Sequence, residues 1–85
     1  MKQLIEDNYQ SIVKRGLITP NTRVQEFIDK LHEEVQEFEE AFENGLDNEN
    51  EELADIILVC LNLARHCNID IEQELKRKIE INKSR

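Results

Sequence analysis

Apolar residues recur along this chain at steps of three and four, which is the spacing of helices with one buried face. Leu4, Ile5, Tyr9, Ile12 and Val13 make one such stripe and predict a helix from about Lys2 to Arg15, with Gly16 as its stop. Thr19 and Pro20 read as the cap and first position of a second helix, which runs to about Asn44. Its stripe is Val24, Ile28, Leu31, Val35, Phe38 and Phe42, widened by Phe27, and Gly45 ends it. After a polar loop, where Asp47, Asn48 or Asn50 can cap, a third helix extends to about His66. Its interior, Leu53 to Ala64, is apolar nearly all round, so it needs cover on several sides. Asp70 with Gln73 has the pattern of a capping box and opens a fourth helix, with Ile71, Leu75 and Ile79 on its inner stripe.

The expectation is therefore an all-α chain, a four-helix subunit forming one domain over residues 1–85. Three short partners can hardly cover the third helix, so part of its surface is expected to meet a second subunit. A chain of this size buries only about 60% of its unfolded surface alone, which points the same way. Only two glycines and one proline in 85 residues suit long helices. The formal net charge of −8 makes the chain a poor ligand for the phosphate backbone of nucleic acid. No apolar stretch is long enough to span a membrane, and the first residues turn acidic at once, unlike a signal peptide. A cytoplasmic location is the expectation.

The placement of the acids changes the picture more than their number. Glu34 and Glu37 are three apart on the second helix, with Glu33 beside them; Glu52 and Asp55 repeat the spacing on the third. Glu34-x-x-Glu37 taken alone reads as a solvated helix face, like Glu39, Glu40 and Glu43. Asp55 is different, because it interrupts an apolar run and has no basic residue one turn away. A buried carboxylate needs a partner. Two carboxylates about 5 Å apart repel by roughly 3 kcal/mol at an effective dielectric of 20. Four acids turned inward from two facing helices therefore call for a cation, and Mg²⁺, an oxygen-seeking ion that often bridges carboxylates to phosphates, fits. The implied chemistry is hydrolysis of a phosphoanhydride.

At these residues the chain resembles a known family. Glu33-Glu34-x-x-Glu37, a spacer of fourteen residues, then Glu52-x-x-Asp55 is similar to the EExxE…ExxD signature of the MazG-like all-α NTP pyrophosphatases. Lys78-x-x-x-Asn82-x-x-Arg85 is similar to the family's K-x-x-x-N-x-x-R element. Glu52 to Arg85, with its Arg65 to Asp70 turn, looks like the dCTP pyrophosphatase branch; phosphoribosyl-ATP pyrophosphohydrolases share the fold. The resemblance spans about Val24 to Arg85. It implies a homodimer or homotetramer and Mg²⁺-dependent cleavage, with Mn²⁺ as a substitute, of a (deoxy)nucleoside triphosphate to the monophosphate and pyrophosphate. It implies Glu34, Glu37, Glu52 and Asp55 as metal ligands and Glu33 as an outer acid or water-orienting base. Lys78, Asn82 and Arg85 would contact phosphate or sugar. The sequence lacks the Trp that some relatives place around the base.

Several residues keep a plainer reading beside this one. Lys76, Arg77 and Lys83 complement the dipole of the last helix, and Lys78 and Arg85 have that reading as well as phosphate binding. Asn62 shares the face of Asp55; it either donates to a ligand carboxylate or bonds across a subunit interface. Phe27, Phe38 and Tyr9 sit at core positions, with stacking on a base as their other reading. Cys60 and Cys67 read as packing residues, and His32 and His66 as surface residues. Two other functions stay open: a helical oligomerisation module with solvated acids or a structural cation, and a degenerate nucleotide-binding module without turnover.

Overall fold

A computed structural model describes residues 1–85 as four helices and no strand: α1 (Lys2–Lys14), α2 (Val24–Glu43), α3 (Glu49–His66) and α4 (Ile71–Lys83). No helix is long and apolar enough to cross a membrane. The fold is the expected all-helical one, and three of the four expected helices agree to within a residue or two.

The exception is the start of α2, which begins at Val24 rather than at Pro20. Residues 19–22 form a separate turn. The Thr22 amide donates to the Thr19 carbonyl at 3.0 Å, the Thr19 amide to Thr22 Oγ1 at 2.8 Å, and the Asn21 amide to Thr19 Oγ1 at 3.2 Å. Short hydroxyl side chains compete with a helix for backbone donors in this way, and Pro20 takes the second turn position instead of the first helical one. The cap of α2 lies four residues on, where the Glu26 carboxylate accepts from the Arg23 amide at 2.9 Å.

Three helices end alike. After α1, α2 and α3 the chain passes through a left-handed residue, Gly16, Gly45 or Asn68. The residue beyond donates back five positions: Leu17 to Ile12, Leu46 to Ala41, and Ile69 to Ala64. This closure satisfies carbonyls that the helix leaves bare. At the start of α4, Asp70 Oδ1 accepts from the Gln73 amide at 3.2 Å, as the capping pattern predicts. At the start of α3 no side chain caps; the Asn48 amide is turned to Glu52 instead.

α2 and α3 lie antiparallel and make the main packing contact, α1 lies on α3, and α4 leans on α3. The core is Ile5, Tyr9, Phe27, Ala41, Leu61 and Ala64. Against this core lies His66, expected on the surface and found part-buried at a three-way junction. Nε2 donates to the Thr22 carbonyl at 2.6 Å, Nδ1 accepts from the Tyr9 hydroxyl at 2.9 Å, and the ring lies 4.7 Å from that of Phe27. Both ring nitrogens are thus assigned, with the proton on Nε2. Arg65 adds a two-pronged ion pair to Glu6 and lies 4.7 Å over the Tyr9 ring.

Much of the apolar surface is left uncovered within one chain. The expected inner stripe of α4 is exposed, Leu75 at 44% and Ile79 at 52%, because only the first turn of that helix is partly covered. Leu53 and Ile57 on α3 are about half exposed, and the ends of the α2 stripe, Val24 and Phe42, lie open. Cys60 and Cys67 are exposed rather than packed.

His66→Ala leaves the Thr22 carbonyl and the Tyr9 hydroxyl without their partner, a loss of about 1–3 kcal/mol. Thermal unfolding followed by circular dichroism should show a clear drop in Tm for His66→Ala and almost none for His32→Ala. Equal effects would refute the junction.

Candidate metal centre

The α2–α3 contact brings three of the four expected ligands together. Oxygens of Glu34, Glu37 and Glu52 all lie within 4.8 Å of one another. Glu34 is buried, and each of the two better-fixed acids has one oxygen held and one bare. Glu34 Oε1 takes an ion pair from Lys30 at 3.1 Å, and Glu34 Oε2 is buried without a partner. Glu52 Oε1 accepts from Asn48 Nδ2 at 3.1 Å, and Glu52 Oε2 is likewise buried and bare. Such bare buried acceptors are uncommon in folded proteins, and Asn48 Oδ1 and Glu49 Oε2 at the start of α3 are two more.

Charge follows geometry. The negative charge of Glu34, ahead of lost hydration and of Glu52, raises the Glu37 carboxyl above its ordinary range. The hydrogen bond to Glu34 raises the Lys30 ammonium. A divalent cation with oxygen ligands suits this donor set, since it would meet the two bare oxygens and cancel the repulsion.

Glu34 also lines a cavity of about 580 Å³ between α1, residues 15–22, α2 and α3. That volume is in the range of small-molecule sites. Asp55 lies on the same wall, although its oxygens stand outside the three-carboxylate cluster. It is exposed towards this space rather than sealed in apolar surroundings, so the demand for a counter-charge comes first from Glu34. Glu33 is turned outward and shares Lys30 at 3.5 Å. Lys78, Asn82 and Arg85 are exposed on or just after α4, and none of them lines the cavity. The cations that do are Arg15 and Lys30. Lys30 stands four residues before Glu34, a spacing visible in the sequence; Arg15 comes from a connection whose path the sequence does not reveal. Asn62 bonds to Asn8 of its own chain at 2.8 Å, which is neither of the roles expected for it.

An all-helical subunit whose two antiparallel helices clasp a carboxylate cluster beside a ligand-sized cavity defines the class. Within that class the chain belongs to the MazG-like family, whose sequence model matches residues 19–85. No curated protein and no solved structure matches the chain.

The electrostatics predict a pH signature. Because the folded state raises the Glu37 carboxyl above 4.5, it binds more protons than the unfolded state in that window, so this group lowers metal-free stability as pH rises through it. Without metal at pH 7.5, Glu37→Gln should unfold at a higher temperature than the parent, and the gap should close below about pH 4. Mg²⁺ should raise the Tm of the parent at pH 7.5 and leave Glu37→Gln nearly unmoved. A parent unaffected by Mg²⁺ and Mn²⁺ would refute the centre.

Proposed function

We propose that the chain is a Mg²⁺-dependent nucleoside triphosphate pyrophosphohydrolase, converting a (d)NTP to (d)NMP and pyrophosphate. The supporting observation is the convergence of Glu34, Glu37 and Glu52, with two buried bare oxygens, beside a cavity that holds Asp55 and two cations. Family membership supports pyrophosphohydrolase chemistry in general.

Glu34, Glu37, Glu52 and Asp55 would hold the metal, which when bound offsets phosphate charge and makes a coordinated water more acidic. The chain's own residues do the rest. Arg15 and Lys30 meet the triphosphate, Lys30 having left Glu34. A water oxygen bonds phosphorus, the link between the α- and β-phosphates breaks, and the water's proton passes to a carboxylate; in this reading that is Glu33, which must turn inward once Lys30 moves to the phosphates. Pyrophosphate leaves with the bridging oxygen.

Assayed for pyrophosphate release over a panel of NTPs and dNTPs with Mg²⁺, the parent should turn over at least one. Glu34→Ala and Asp55→Ala should each reduce that rate by about 100-fold or more. A folded protein that releases none would leave the second reading, a nucleotide-binding or oligomerisation module without turnover. The absence of Lys78, Asn82 and Arg85 from their own chain's cavity favours that second reading.

The same absence has another resolution, which we also propose. A homodimer or homotetramer covers Leu53, Ile57, Leu75 and Ile79, and the α4 residues serve a neighbouring copy. Lys78→Ala and Asp55→Ala, each inactive alone, should then recover about a quarter of parental activity when refolded as a 1:1 mixture, the share of sites intact in random dimers. No recovery would place both residues in one subunit's site.

A further inference from the structure

The cavity has a second polar feature two helical turns from Asp55. Asn62 of α3, only 7% exposed, and Asn8 of α1 both line it. The Asn8 Nδ2 to Asn62 Oδ1 bond of 2.8 Å is the single side-chain hydrogen bond of each. It leaves the Asn62 NH₂ group and the Asn8 carbonyl oxygen without partners. Exchanging nitrogen and oxygen in both amides returns the same result with the residues reversed. Either way the pair offers one donor and one acceptor side by side.

Their position along the helices gives that offer a meaning. Asn62 is seven residues beyond Asp55 on α3, and Phe27 is seven residues before Glu34 on α2. Seven residues are two turns, about 10.5 Å. Because α2 and α3 are antiparallel, the cavity has two levels about that far apart: Glu34 and Asp55 at one, Asn62, Asn8 and Phe27 at the other, with Lys30 between them and Glu26, its carboxylate turned to the Arg23 amide, beside Phe27. Apolar Ile12, Leu58 and Val59 complete its wall. A phosphate tail and a planar base, joined by a sugar, have the same layout.

We propose that Asn8 and Asn62 read the hydrogen-bonding edge of the nucleobase, and so decide which nucleotide the site accepts. This rests on the nucleotide reading given above. The pair matches an edge with one acceptor next to one donor, such as the N3 and 4-amino positions of cytosine or the N3–H and O4 of uracil. The ring lies against the Phe27 side of the cavity, with His66 behind Phe27. A site whose polar groups are buried and complementary rejects a mismatched partner strongly, because the mismatch leaves those groups unpaired.

The test compares bases rather than overall rates. Values of kcat/KM for dCTP, dUTP, dATP and dGTP with Mg²⁺ are measured for the parent, Asn8→Ala and Asn8→Asp, with circular dichroism as a check on folding. Affinities for the four deoxynucleoside monophosphates are measured by calorimetry, which needs no turnover. The parent should favour one base, and Asn8→Ala should shrink the ratio between best and worst by about 10-fold or more. In Asn8→Asp the Asn62 amide must donate to the new carboxylate, so the pair presents two acceptors. Preference should then move towards guanine, whose N1–H and 2-amino groups are two adjacent donors. An unchanged ranking in both variants, or a parent indifferent to the base, would overturn the proposal while leaving pyrophosphohydrolysis intact. Absence of turnover would count against the enzyme alone, since the monophosphate affinities still decide the base reading.

Discussion

The candidate site depends on holding like charges together. Three carboxylates within 4.8 Å of one another do not gather unaided; the apolar contact of α2 against α3 forces them there. That contact is short of material. The buried apolar residues of these two helices are only Phe27, Ala41, Leu61 and Ala64, and two of them are small. The helices therefore bring together acids that would separate in an open chain. Lys30 and Asn48 each steady one oxygen of the cluster. A helix pair that was optimised for stability alone would place apolar or oppositely charged groups at this level.

The helices were legible in the sequence because they rest on local chemistry: three- and four-residue spacing, Gly16 and Gly45 as stops, and Asp70 as a cap. The start of α2 was not, since Thr19 and Pro20 fit a turn as well as they fit a cap, and only hydrogen bonds within residues 19–22 decide between them. The acids were legible by spacing, and the pairing of Glu34 and Glu37 with Glu52 came out as the facing of two helices implies. What spacing cannot carry is contact between distant segments. Asn8 and Asn62 are 54 positions apart, His66 and Thr22 are 44 apart, and nothing local to any of them announces its partner. His66 was misread for that reason: a histidine without a nearby acid or nucleophile has no local sign of burial. Asp55 was overread, because its apolar neighbours in sequence do not all become covered neighbours in space.

The exposure of Leu53, Ile57, Leu75 and Ile79 has the same origin. A third helix apolar on most sides has only α1 and α2 to cover it, and α4 turns away after its first turn. The physical reading is a subunit whose hydrophobic surface exceeds what its own helices can cover. In the proposed oligomer, stability and assembly would be linked, as in proteins whose monomers are weak without their copies.

Lys30 bears on which ions such a centre would admit. Its ammonium already rests on Glu34, so the arrival of a metal is an exchange of partners and not the filling of a void. A monovalent ion brings the same single charge as the ammonium it must displace, and the exchange gains little. A divalent ion brings twice that charge to the same oxygens. The lysine would thus set a threshold at such a centre: it steadies Glu34 before a metal arrives, and it weights the exchange towards divalent ions over sodium and potassium.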